Sequence, residues 1–327
     1  MSHHEGELVV FRYFQDWWHR RNALQQLASM QQQEEATLTL SDAHPFAWAL
    51  NAAKLGDREE GLRQWHDACQ KYPDFVRNSP DSLKLLLDLG LYDEAESFAW
   101  EARKRSPRDP VRAGGPAKVA EARGDFAEAA ARWANMRRKF PQQPQPYAGE
   151  AWCLSRLAKL DEADTLITKA LARFPTELSC GMEAGRIADC RKDWPAALAR
   201  WENVYRINRH PAGEIGAARA LREMGRLDEA EQRLLLASAT FPLAVELFME
   251  LAHIAYKRGD ASEAARRWQK VRTKFPMLPF GYREEYRVLR EMNDIDGAEQ
   301  VALAAIDRFP NASWAREMSQ DSAGAAS

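Results

Sequence analysis

The chain has 327 residues, with 46 Lys and Arg against 48 Asp and Glu, and its formal charge of −2 supplies no global field to draw it to nucleic acid or anionic lipid. Its four cysteines, Cys69, Cys153, Cys180 and Cys190, form no C-x-x-C pair, which argues against a disulfide framework or a zinc site and for reduced thiols in a cytosolic protein. The N-terminus carries His3, His4, Glu5 and Glu7 where a secretory signal would be basic and then apolar, and no apolar run of about 18 residues is present to span a membrane.

Residues 1–41 stand apart from the rest of the chain. The stretch 7–35 contains no Pro or Gly and places Val10, Phe14, Trp17, Leu24 and Leu27 on one face, which predicts one long helix. Phe11, Tyr13 and Trp18 widen its apolar arc. Three uses fit such a helix. It caps the first repeat by covering Phe46, Trp48 and Leu50; or it serves a partner or self-association; or it lies in a membrane interface, with Arg12, His19, Arg20 and Arg21 facing headgroups. The cap is the reading adopted, and Phe11, Phe14, Trp17 and Trp18 are the candidate contacts under the other two.

From Asp42 the chain repeats, and the terminal proline keeps time. Pro73, Pro107, Pro141 and Pro175 are 34 residues apart, as are Pro242, Pro276 and Pro310. Between the two series lie 67 residues, where Arg209 holds the expected position and Pro211 stands two places beyond it. The spacing predicts eight hairpins, at 42–75, 76–109, 110–143, 144–177, 178–210, 211–244, 245–278 and 279–310. The seventh is the clearest. Phe248, Leu251, Ala252 and Ala255 recur at helical spacing, the pattern breaks at Arg258, Gly259 and Asp260, and Ala264, Trp268 and Val271 resume it. Gly259 suits the left-handed position that ends the first helix, Asp260 can cap the second, and Pro276 stops it. One such hairpin cannot bury its apolar face alone. Stacked copies can, so the fold class is an all-α solenoid whose default task is to bind another molecule along an extended surface.

Two further markers keep the same period. One place in each second helix is always tiny: Gly61, Ala95, Ala129, Ala163, Ala197, Ala230, Ala264 and Ala298. Four residues on, the series reads Trp65, Ala99, Trp133, Ile167, Trp201, Leu234, Trp268, Ala302, with tryptophan only in odd copies. The capping aspartate alternates too, from Asp57, Asp125, Asp193 and Asp260 in odd copies to Asp93, Asp161, Asp228 and Asp296 in even ones. The larger unit is therefore a pair of hairpins, each indole packing beside a smaller side chain in the next copy.

A 34-residue helix–turn–helix with large–x₂–Leu–small, then Ala–x₃–aromatic, then Pro resembles the tetratricopeptide repeat. In the seventh hairpin these are Phe248, Leu251, Ala252 and Ala255, then Ala264, Trp268 and Pro276, and the similarity covers 42–310. The resemblance implies a right-handed superhelix. Ser79, Gly181 and Glu214 depart from the family pattern where a bulky residue is usual, and Glu150 and Glu285 replace the leucine. In the third hairpin the glycines and proline at 114–116 predict a delayed or shortened first helix, read as a frayed repeat in preference to a hinge. After Pro310, residues 311–327 are expected to form a short C-terminal cap around Trp314 and Met318, followed by a disordered tail from Asp321.

Nothing in the sequence points to an enzyme or a cofactor. There is no H-E-x-x-H, no glycine-rich phosphate loop and no G-x-S-x-G elbow. Asp294 and Asp296 form an Asp-x-Asp pair that could be taken for a metal motif, but they fall where every copy wants a capping aspartate. His3, His4 and Glu5 lack a third ligand nearby.

In the tetratricopeptide family the first helices line a concave groove and the ninth position of each repeat points into it. The resemblance therefore implies a groove lined by Leu50, Lys84, Lys118, Trp152, Arg186, Arg219, His253 and Arg287, a ladder of five cations and a histidine around one tryptophan. Such a ladder would take an acidic, extended protein segment, with Trp152 as anchor. Against this, Asp81, Glu183, Glu250 and Glu284 stand three residues before Lys84, Arg186, His253 and Arg287, where helical neighbours pair. Leu50 and Ala47 in the opening repeat do not match the carboxylate clamp of some family members.

The sequence is thus read as a cytoplasmic, non-catalytic scaffold or adaptor. Similarity to tryptophan-marked, Phe-Pro-terminated bacterial repeats implies a setting beside polysaccharide assembly. RNA binding by the ladder and a membrane-associated adaptor anchored through the N-terminal helix are the alternatives.

Overall fold

The computed structural model describes residues 58–310 and 312–325, and among them every regular element is an α-helix. The expected N-terminal helix, with Phe11, Phe14, Trp17 and Trp18, lies outside the described residues, as does the first helix of the first hairpin, with Leu50. The chain divides into two compact units, residues 1–91 and 92–327.

In the first unit the described helices are α1 (Arg58–Lys71), α2 (Pro73–Asn78) and α3 (Pro80–Asp88). Among its described residues, Trp65, Ala68, Val76, Leu85, Leu86 and Leu89 are the buried apolar side chains. Ser79, which breaks the family pattern as a core residue, has a different task. Its hydroxyl accepts from the Asp81 N–H at 3.2 Å and so caps α3, while the Ser82 hydroxyl donates to the Val76 carbonyl at 2.6 Å.

The second unit runs through α4 (Tyr92–Arg105), α5 (Pro110–Ala113), α6 (Gly115–Arg123), α7 (Phe126–Lys139), α8 (Gln145–Arg156), α9 (Leu160–Arg173), α10 (Leu178–Arg191) and α11 (Trp194–Asn208). It continues through α12 (Pro211–Glu223), α13 (Leu227–Thr240), α14 (Val245–Lys257), α15 (Ala261–Lys274), α16 (Pro279–Glu291), α17 (Ile295–Arg308) and α18 (Ser313–Ala325). Each helix packs on the next, so the core extends lengthwise as a solenoid.

The sequence markers find their reasons in this stack. Ala95, Ala129, Ala163, Ala197, Ala230, Ala264 and Ala298 have no exposed surface at all, because each lies where two helices meet. Two odd-copy indoles, Trp133 and Trp201, fill the space between neighbouring helices, both within their own hairpin and toward the next, and need hydrogen for a neighbour. A Cβ at Gly149 would stand 2.6 Å from the Trp133 ring, and one at Gly185 2.5 Å from that of Trp201. Gly114 belongs to the same arrangement, its Cβ position being 3.0 Å from Trp133. The third hairpin's first helix is accordingly broken into α5 and α6 at Gly114, and its buried Ala113, Gly115, Pro116 and Ala117 show a packed segment in place of the frayed one expected.

The turns correct one expectation. Asp125, Asp193 and Asp260 do cap α7, α11 and α15, each accepting from an N–H three residues ahead at 3.0, 3.1 and 2.9 Å. Gly259 adopts φ +81°, as its place before Asp260 requires. In the even copies Asp93, Asp161 and Asp228 are not caps: they lie inside the first turn and accept from Arg123, Arg191 and Arg258 at 2.8, 2.6 and 2.5 Å. In the eighth hairpin Asp294, not Asp296, caps α17, its carboxylate accepting from the Gly297 N–H at 3.0 Å. At the C-terminus, Ala315 and Met318 of α18 bury against Phe309 and Tyr282. That helix reaches Ala325, through residues 321–325 where the sequence pattern predicts disorder.

Candidate binding face

The ninth-position residues of the second unit fall one to each first helix: Lys118 on α6, Trp152 on α8, Arg186 on α10, Arg219 on α12, His253 on α14 and Arg287 on α16. Lys84 is half-buried on α3 of the first unit. Lys118 is exposed, and the others are half-buried. Trp152 turns its ring edge-on to Phe126, centroids 5.3 Å apart, and Arg156 lies 5.0 Å over that phenyl ring.

From α10 to α16 the structure joins these residues into one charged row. Arg186 pairs with Glu183 at 2.6 Å, and Arg287 with Glu284 at 2.9 Å and with Glu291 at 2.6 Å, as their spacing predicts. Arg219 has no acid three residues before it, yet its guanidinium donates to Asp189 of the preceding first helix at 2.5 Å and lies 5.8 Å over the Trp201 ring. Glu250 is drawn to Arg222, 3.2 Å away, rather than reserved for His253. The His253 ring meets Trp268 edge-on, centroids 5.1 Å apart, and Arg287 lies 4.9 Å over Tyr256.

Burial sets the protonation of this row. It drives the His253 imidazole below its ordinary range, against the opposing pull of Glu250. Burial also raises Glu183, against the pull of Arg186, and raises Asp189, against that of Arg219. Glu250 feels the same desolvation, but Arg222, His253 and Arg219 together outweigh it and hold its carboxyl low. Glu121 is the outlier: enclosed by Trp133 and Cys153, which both donate to it, its carboxyl is still pushed up to about 7 by burial. Burial raises the thiols as well, Cys190 to about 11 and Cys180 to about 12, which leaves them poor nucleophiles at neutral pH.

The family departures among the acids have a common cause. Glu150 receives two bonds from Arg137, at 2.6 and 3.1 Å, and Glu285 two from Arg272, at 2.6 and 3.2 Å. Both arginines stand four residues after a tryptophan of the preceding second helix, so one buried fork-to-carboxylate pair replaces a leucine contact. Glu214, at a different position of its repeat, is taken up by Arg233 of its own hairpin's second helix, which also binds Glu202.

No family model and no curated protein matches the sequence. Solved structures do match the fold. A tetratricopeptide repeat protein from Parabacteroides merdae superposes with a TM-score of 0.53 at 15% identity, over 79% of this chain and 98% of that one. A chain of the APC/C hetero-tetramer Cut9–Hcn1 does so with a TM-score of 0.52 at 14% identity, over 92% of this chain and 59% of its own length.

The chain has the tetratricopeptide-repeat fold. Within that fold the ninth-position rule finds one residue per first helix but misses the acids between them. Glu121 and Asp189 stand twelve residues before Trp133 and Trp201 and accept from their indole N–H groups, so a tryptophan that needs an acceptor was the available signal. Tyr256 holds that place before Trp268, whose indole N–H finds no acceptor among the described residues. No group of three or more metal-ligating side chains occurs among the described residues, and no described helix is long and apolar enough to cross a membrane.

Proposed function

We propose that this tetratricopeptide-fold chain, with eight hairpins over 42–310, is a non-catalytic scaffold that binds an extended protein segment along the first helices of its second unit. The observation that carries the reading is the row of cationic and aromatic side chains, one on each successive first helix from Lys118 to Arg287. Their guanidinium groups are already oriented by neighbouring carboxylates, so an incoming acidic side chain meets preorganised forks and does not order long side chains itself. Lys118 is exposed beside the half-buried Trp152 hairpin, which makes that pair of repeats the natural anchor. A cytoplasmic setting beside polysaccharide assembly rests on sequence resemblance alone.

The test is affinity capture from the native host with wild type and with a Lys118→Glu/Trp152→Ala variant, recovering protein, RNA and lipid together. The expected result is a protein lost at least about tenfold in the variant at unchanged helical content, with affinity that falls as salt rises. Recovery of RNA or lipid alone, or full retention of every protein by a folded variant, overturns the reading.

A further inference from the structure

Successive hairpins of the second unit meet through two kinds of junction, and the two alternate. Where α7 meets α8, α11 meets α12 and α15 meets α16, the helices lie closely along one another. Indole, backbone and buried ion pairs fill these contacts: a Cβ at Gly213 would stand 2.5 Å from the Tyr205 backbone, and one at Gly281 2.7 Å from that of Arg272. Arg137–Glu150, Arg219–Asp189 and Arg272–Glu285 cross the same three junctions, on carboxylates more sheltered from solvent than those at the other kind of junction. Where α4 meets α6, α9 meets α10 and α13 meets α14, the contact is slighter. Across the last two of these junctions the first helices approach each other instead, α8 against α10 and α12 against α14.

The slighter junctions carry a polar latch on the side of the second helices. One carboxylate is held by two arginines of the next hairpin: Glu96 by Arg123 and Arg132 at 3.7 and 2.8 Å, Asp164 by Arg191 and Arg200 at 2.9 and 2.7 Å, and Glu231 by Arg258 and Arg267. The second arginine of each pair also donates to a carbonyl sixteen residues earlier, on Pro116, Ala184 or Leu251, at 2.7, 2.9 and 2.7 Å. That arginine therefore ties both helices of its own hairpin to the second helix of the hairpin before it. The same geometry returns every second hairpin.

The two junctions differ in how they resist bending. An indole lodged against glycine backbone loses its contacts within a fraction of an ångström and is blind to salt. A partly exposed ion triad weakens gradually with distance and is screened by salt. We infer that the solenoid is jointed: its stiff unit is the hairpin pair, 110–177, 178–244 and 245–310, and the pairs pivot along their first-helix contacts at 177/178 and 244/245 when the Asp164 and Glu231 latches release. The joints belong to the chain alone, whatever partner it binds.

The experiment places two distance labels on the full chain through genetically encoded residues. One pair, at Lys169 and Arg206, spans the Asp164 latch; the other, at Arg206 and Leu236, spans the Trp201 junction inside a hairpin pair. Single-molecule energy transfer is read as salt is raised so that the screening length falls from about 10 Å to about 3 Å. The distribution across the latch is expected to broaden and lengthen while the one across the tryptophan junction stays narrow. Asp164→Asn is expected to give the broad distribution at low salt and to abolish the salt response. Equal behaviour at the two junctions, or a salt response that persists in Asp164→Asn, overturns the inference. The wild-type salt series decides the matter if that variant fails to fold.

Discussion

A glutamate where a leucine is usual, buried at Glu285 with its carboxylate on Arg272, shows how a single residue can break a sequence pattern without breaking the fold. The stability of this pair depends on both partners being present. Glu285→Leu alone strands the Arg272 guanidinium and is expected to cost about 3–5 kcal/mol, whereas Glu285→Leu with Arg272→Leu is expected to be neutral or to stabilise by about 1–4 kcal/mol. Urea unfolding midpoints of the two variants check this, and equal losses would show that packing, not pairing, sets the cost. Glu121 supplies a pH signature of definite sign. Its folded carboxyl titrates near 7 against an ordinary 4.5, so the native state keeps a proton that the unfolded chain has lost between those values. The stability it contributes is complete below the ordinary value and disappears as pH rises through about 7. Glu183, Asp189 and Glu285 are raised too and slope the same way, while Asp164 and Glu231 are lowered and act only as pH falls below the ordinary carboxylate range. Glu121→Gln, which keeps an acceptor for the Trp133 N–H, is therefore expected to flatten but not abolish the fall in Tm between about pH 4 and about pH 8, which bracket the window at about 4.5 to about 7.

At the scale of the helix, the alternation of aspartates that looked like a shifted cap is two devices. Asp260 binds the backbone at the start of α15, and its loss to alanine is expected to cost about 0.5–2 kcal/mol with little dependence on salt. Asp228 sits fully exposed and binds Arg258, so Asp228→Ala is expected to cost less than the cap does, and less again at high salt. Denaturation of both variants at low and high salt separates them, and equal costs would restore the capping reading for the even copies. The split between α5 and α6 makes the same point about glycine. Sequence propensity marks the run at 114–116 as weak helix, but the backbone stays packed there because Trp133 occupies the space that side chains would need.

Across the molecule, spacing along the chain was enough to establish the all-α class, the repeat period, the zero-exposure alanines and the odd-copy indoles. Helical periodicity and proline stops act within about one turn of the chain, so they are readable without knowing what lies across from them. The candidate face was half legible for the same reason. Ion pairs three residues apart, Arg186 with Glu183 and Arg287 with Glu284, were read correctly, whereas Arg219 finds its acid thirty residues away on a neighbouring helix. Stacking alone could choose such partners, because it sets which helix faces which, and a charge accepts whichever counter-charge the stack brings within reach. The arginine latches belong to that second class. Their members recur faithfully along the sequence, but nothing in the spacing says that Asp164, Arg191 and Arg200 meet at one point.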